Sequence, residues 1–240
     1  MFGLGTIINT AAILVGGLLG FFFGGLLKER HQETIKKACG VCVLFIGICG
    51  ALEGMLRVQD GALTSGKSLL VIGCVALGAL FGEILNIEGG FERFGSWLKM
   101  KSGNAKDKQF IEGFVSTSLT VCIGAMAVVG ALEDGLAGDY SILLTKSILD
   151  MIMVMVMTCS FGKGCIFSAI PVFALQGSVT LAAGLIKPLM TPLALANLSL
   201  VGSILIFCVG LNLVWGKTIR AANLLPAIVF AVIAAFLPLS

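Results

Sequence analysis

Ser141-Ile-Leu-Leu-Thr-Lys146-Ser147-Ile-Leu-Asp150-Met-Ile-Met-Val-Met-Val-Met-Thr-Cys-Ser-Phe161 is a run of 21 residues in which Lys146 and Asp150 are the only charged groups. Wound as a helix it measures about 30 Å, the thickness of a bilayer's hydrocarbon core. The rest of the chain reads the same way. Of its 240 residues 58% are hydrophobic and 12% are charged, about half the charge of an ordinary soluble domain. So much apolar surface cannot be hidden in one core when the groups needed to solvate its outside are missing. Lipid must be the solvent, which excludes a secreted disulfide scaffold, a disordered tail and a nucleic-acid binder.

Apolar runs of this length recur at 5–27, 38–56, 67–86, 112–132, 141–161, 166–186, 196–215 and 222–239. They are continuous rather than alternating, so an all-α polytopic bundle of about eight transmembrane spans is expected and a β-barrel is not. The first run starts at once, without a basic leader, and no cleavable signal peptide is expected. The cysteines lie within apolar runs, as buried helical thiols do.

Basic residues supply an independent test. With eight spans, Lys28, Arg30, Lys36, Lys37, Arg93, Lys99, Lys101, Lys106, Lys108, Lys163, Lys217 and Arg220 fall on one side, and only Arg57, Lys67, Lys146 and Lys187 on the other. The positive-inside rule then puts the first group in the cytoplasm and both termini outside. The longest connection, 87–111, carries Phe91, Phe94, Trp97 and Leu98 at helical spacing among charges, which reads as an amphipathic helix on the cytoplasmic face. It divides the single membrane domain, 1–240, into a three-span unit (1–86), this linker (87–111), a central hairpin (112–165) and a last three-span unit (166–240).

Two internal similarities stand out. Gly50-Ala51-Leu52-Glu53 precedes Lys67-Ser68-Leu69-Leu70 much as Gly130-Ala131-Leu132-Glu133 precedes Lys146-Ser147-Ile148-Leu149, which reads as a repeated helical hairpin. Gly25-Leu26-Leu27-Lys28 and Gly184-Leu185-Ile186-Lys187 form a weaker echo between spans one to three and six to eight. By the span count these units are oppositely oriented, the arrangement of many secondary transporters. Gly16, Gly20 and Gly24, with Gly50 and Gly54, and Gly78 and Gly82, place small residues on single helix faces. Such faces serve helix packing or a homo-oligomer, or line a narrow pathway.

A charge at mid-membrane costs about 2.5–3.5 kcal/mol on insertion scales, so Asp150 invites a functional reading. Lys146, Ser147 and Asp150 share one helix face. Asp150 as a cation- or proton-binding carboxylate, with Lys146 as competing counter-ion, and a structural ion pair both fit that spacing. Asn9 opens the first span, Gln176 lies inside the sixth and Asn223 begins the eighth; the three are expected to line a path. Pro171, Gln176 and Gly177 make span six the expected broken helix. Asn223 also reads as a helix start ahead of Pro226. Glu83 and Glu112 are expected to snorkel to the interface, as Glu53 and Glu133 do on the other side. His31 is the only histidine, Cys39-Gly-Val-Cys42 stands alone, and alternate methionines from Met151 to Met157 point to opposite helix sides. No metal site, cofactor or enzymatic activity is expected.

Ile8-Asn9-Thr10-Ala11-Ala12-Ile13-Leu14-Val15-Gly16-Gly17, Phe81-Gly82-Glu83, Gly138-Asp139-Tyr140-Ser141-Ile142-Leu143 with Lys146-Ser147-Ile148-Leu149-Asp150, and Asn223-Leu224-Leu225-Pro226-Ala227 together resemble one family. It is a family of bacterial multi-span inner-membrane proteins catalogued as domain of unknown function 554. The likeness covers essentially the whole chain and implies a polytopic inner-membrane protein with transport as its expected role, without implying a substrate. The function expected here is a transporter or channel for a small ion or solute, the alternative being a non-transporting membrane scaffold or regulatory subunit.

Overall fold

The glycines of the first run decide how the bundle closes. In the computed structural model, which describes residues 3–59, 61–105 and 107–237, α1 (Leu4–Gly24) lies against α7 (Ser141–Phe161). Gly16 faces Met151, Gly20 faces Met155 and Gly24 faces Cys159, so the two helices run parallel. A Cβ at Gly16 or Gly20 would overlap a backbone carbonyl of α7. The absence of side chains is what lets the two backbones meet, as small-residue faces do in lipid.

Three other pairings are antiparallel. α2 (Glu29–Met55) crosses α10 (Pro192–Trp215), with Gly40 against Val214, Gly47 against Phe207 and Gly54 against Leu200. α3 (Ser68–Leu85) faces α11 (Pro226–Ala234) through Gly78 and Ala227, then Gly82 and Asn223. α8 (Ala169–Leu181) faces α1 through Thr180 and Thr6, then Gln176 and Asn9. Between α2 and α3 a short hairpin, β1 (Leu56–Gln59) and β2 (Ala62–Ser65), pairs Leu56 with Ser65 and Arg57 with Thr64.

Local sequence explains the helix ends. Asn86, at φ 49°, ends α3 and caps α4 (Ile87–Lys101), its side chain accepting from the Gly89 N–H. α4 lies where an amphipathic helix was expected, with Phe94 stacked on Trp97 and Leu98 buried. Thr191 caps α10, accepting from the Ala194 N–H, with Pro192 in the first turn.

Among the described residues five helices are long and apolar enough to cross a membrane, six if one bent pair is counted as a span, against the eight continuous runs expected. The difference has three causes. The expected span 112–132 is broken into α5 (Phe110–Cys122) and α6 (Ala125–Leu136), bent by 62° at Ile123-Gly124. Gly124 has φ 146°, a conformation L side chains rarely adopt. The runs 141–161 and 166–186 are helical without interruption from Ser141 to Leu181, yet Asn9 touches both Asp150 and Gln176. A straight helix would hold those two residues about 39 Å apart. The chain therefore doubles back through the 3-10 segment Gly162–Ser168, entered at Gly162 with φ 77°. The last run is short, because α11 follows the 3-10 turn Ala221–Leu224; its expected end beyond 237, like Lys106, lies outside the described residues.

Span six is not broken at Pro171, Gln176 or Gly177, where a break was expected; its helix is interrupted later, at Ala182. α8 runs through Gln176 and Gly177, and Pro171 sits in its first turn, where no N–H is required. Two short elements, α9 (Ala183–Ile186) and the 3-10 turn Lys187–Leu189, lead on to α10. The two hairpins alike in sequence also differ in form. Lys67 caps α3 after the β-hairpin, whereas Lys146 lies inside α7 after a short link.

Candidate functional site

The helix break creates the site. An α-helix leaves its last carbonyls without intrahelical partners, with the negative end of its dipole among them. At the end of α5 one of these, the Val121 carbonyl, accepts from Lys146 Nζ at 2.9 Å. The same ammonium donates to Asp150 Oδ1 at 2.7 Å and Oδ2 at 2.5 Å. Lys146 and Asp150 are one turn apart on α7, so a single helix presents both charges. They are 7% and 6% exposed, so the pair is sealed from water.

Two amides complete the site. Asn9 Nδ2 donates to Asp150 Oδ2 at 3.0 Å and to Gln176 Oε1 at 3.2 Å. Asn9 and Gln176 are fully buried, and Asn9 Oδ1 and Gln176 Nε2 have no partner among the described residues. Such groups cost free energy unless something binds them. Four of the expected residues, Asp150, Lys146, Asn9 and Gln176, thus converge from α1, α7 and α8. Ser147 does not join them: its hydroxyl donates to the Leu144 carbonyl of its own helix.

Asn223 lies elsewhere. Its Nδ2 donates to Glu83 Oε2 at 2.6 Å and its Oδ1 accepts from the Glu88 N–H at 2.7 Å. Glu88 in turn accepts from the Ala222 N–H and pairs with Lys217, while Glu83 pairs with Arg220. Asn223 therefore ties α3 and α4 to the last turn before α11, at the α4 end of the bundle. Replacing it with alanine should cost about 1–3 kcal/mol by stranding the Glu88 N–H. Thermal unfolding in detergent measures this, and a variant as stable as the native protein would contradict it.

One turn from the site towards the α4 end, Ile13, Val154, Val172, Ala169 and Val121 close into an apolar plug. Beyond it a cavity of about 420 Å³ opens among Lys36, Glu92, Glu112, Lys217, Val115 and Leu119, its wall reaching within two residues of Val121. Lys36 and Glu112 form an ion pair at its side. A second cavity, also about 420 Å³, is lined by Thr6 and Thr180, one turn from Asn9 and Gln176 in the other direction. Neither cavity is lined by Asp150 or Lys146.

Asp134 was not foreseen. It is fully buried near the end of α6 and accepts from the first free N–H groups of α1, Gly5 at 3.0 Å and Thr6 at 3.4 Å, on Oδ2. Glu133 beside it is exposed. The signal was the buried face Ala127, Ala131, Asp134, at helical spacing, which marks the second acid of that pair as the inward one.

Long apolar helices closed around a sealed lysine–aspartate pair define a multi-pass helical membrane protein. The chain belongs to the family described as "Protein of unknown function (DUF554)", whose model matches residues 4–236. It is 31% identical over 232 residues to "Uncharacterized membrane protein YdfK" of Bacillus subtilis (strain 168), covering 97% of this chain and 95% of that protein. It is 32% identical over 232 residues to "Uncharacterized protein YqgA" of Escherichia coli (strain K12), covering 95% and 94%. No solved structure matches the chain.

Proposed function

We propose that this protein transports a small cation across the bacterial inner membrane and is not an enzyme. One observation carries the reading. The Lys146 ammonium rests on three oxygens, two from Asp150 and one freed by the helix break, near an amide oxygen on Asn9 that has no partner among the described residues. An oxygen cage around an ammonium is also a cage for a cation of similar size, with Asn9 Oδ1 as a further ligand once the lysine swings aside. Lys146 then acts as the resident counter-ion, keeping the site neutral while no cation occupies it. The apolar plug and the two flanking cavities suit a site that opens to one side at a time.

The antiparallel pairings of α1 with α8, α2 with α10 and α3 with α11 support an inverted repeat of the first and last three-span units. Transporters of that architecture rock one repeat against the other around a fixed midplane site. The basic residues around α4 favour a cytoplasmic position for that end, with both termini outside. The second reading, a non-transporting scaffold or regulatory subunit that self-associates through its glycine faces, draws on the sealing of the ion pair.

Reconstitution into proteoliposomes separates the two. Imposed Na⁺, K⁺ or H⁺ gradients should drive cation flux through the native protein, and Asp150→Asn, checked to be folded and monodisperse, should reduce it to background. Absence of flux with every cation would favour the scaffold.

A further inference from the structure

Asp134 is a carboxylate in a fully buried position whose Oδ1 has no partner among the described residues. A helix N-terminus offers it only about half a positive charge, and does so on Oδ2 alone. Among the described residues no cation stands against it. α1, α8, α9 and α10, which pack around α6, contain no charged residue. α7 contributes Lys146, which Asp150 already holds, and Glu133 on the same helix is exposed. A buried carboxylate left this way is costly unless a positive charge joins it.

Beyond the two N–H groups on Oδ2, the polar groups nearest in the chain of contacts are oxygens. The Thr6 hydroxyl, whose own N–H already reaches Asp134, lies 3.4 Å from the Thr180 hydroxyl. The Thr180 hydroxyl donates to the Ala131 carbonyl at 3.1 Å, so the Thr6 hydroxyl donates to Thr180, which keeps one free lone pair. Both threonines are 2% exposed and line the mostly apolar cavity at the end of the bundle away from α4, behind whose wall Asp134 and Ala131 lie. One full negative charge, two hydroxyls and a carbonyl form a hard, oxygen-only set. Among the described residues no three His, Cys, Asp or Glu side chains come together, so the charge matches a monovalent rather than a divalent ion.

We infer that Asp134, with Thr6, Thr180 and the Ala131 carbonyl, forms a second binding site, for a dehydrated alkali cation. It lies one helical turn from the Asn9–Gln176 pair, at Thr6 on α1 and Thr180 on α8. The inference deepens the proposed transport by naming the class of ion and an entry station ahead of Asp150, and rests on that reading only for the ion's onward travel. Binding itself needs no transport.

Thermal unfolding of the purified full-length protein in detergent tests it, with NaCl, KCl or LiCl replacing choline chloride at constant ionic strength. At least one alkali cation should raise the native melting temperature saturably, by about 5 °C at a hundredfold excess over its dissociation constant. Asp150→Asn should keep the response and Asp134→Asn should lose it; the asparagine retains an acceptor for the Gly5 and Thr6 N–H groups. Thr180→Val and Thr6→Val, which leave that cap intact, should weaken apparent affinity about tenfold each, and they decide the matter where Asp134→Asn does not fold. No response from the native protein, or an undiminished one in Asp134→Asn or in both valine variants, would overturn the inference. A response lost in Asp150→Asn but kept in Asp134→Asn would also overturn it, while leaving the proposed function standing. A response that depends on Asp134 in a protein that carries no flux would do the reverse.

Discussion

Lys146→Met is expected to destabilise the protein by about 3–5 kcal/mol, because it leaves the Asp150 carboxylate buried without its cation. The pair's own contribution is far smaller than the cost of breaking it. Removing both charges with side chains of similar volume, as in Lys146→Met with Asp150→Leu, should restore most of the lost stability, since neither partner is then stranded. Thermal unfolding of the single and double variants in one detergent measures both effects. A single variant of native stability, or a double variant as unstable as the single, would show that the ammonium does not neutralise Asp150. The double variant should still carry no cation, so that stability and flux respond to different features of the same pair.

The second large effect is expected at the seam between α1 and α7. At Gly20 a Cβ would overlap the Met155 carbonyl oxygen, which belongs to backbone and cannot rotate away. Gly20→Leu must therefore push two helices apart, beyond the roughly 1–3 kcal/mol of ordinary overpacking, and no monodisperse protein is expected in detergent. Gly177 is the control. A Cβ there meets nothing within 4 Å, and Gly177→Ala should leave the protein intact or stabilise it by about 0.5–1 kcal/mol through better helix propensity. Size-exclusion profiles and melting temperatures of the two variants compare them directly. Equal behaviour would mean that the seam is not a close backbone contact.

Much of this arrangement was legible because a bilayer imposes length. Lipid demands about 20 apolar residues per crossing, so α1, α3, α7 and α10 follow from counting. Cost arguments reached Asp150, Lys146, Asn9 and Gln176 for a related reason: polar groups are expensive in lipid and stand out against it. The break at Ile123-Gly124 was hidden, because it lies in a stretch as apolar as its surroundings and rests on one glycine's φ. Pro171 pointed to the wrong helix, since its effect depends on its distance from the helix start, which the 3-10 segment moved. Asn223 reads as a path residue from its amide and its place at the start of an apolar run, whereas its partners Glu83 and Glu88 come from helices that sequence does not show to be adjacent. Asp134 escaped because it follows Glu133 at a run's end, and only the helix phase tells which of the two turns inward.

The placement of both site charges on one helix has an electrical consequence. Lys146 and Asp150 travel together, so any displacement of α7 across the bilayer moves a neutral unit, on which the membrane voltage does no net work. A charge carried alone would feel about 2.3 kcal/mol per 100 mV. With a monovalent cation seated on Asp150 and the ammonium still on the same helix, the moving unit gains one positive charge. The loaded protein would then sense the voltage, and the empty one would return without opposing it.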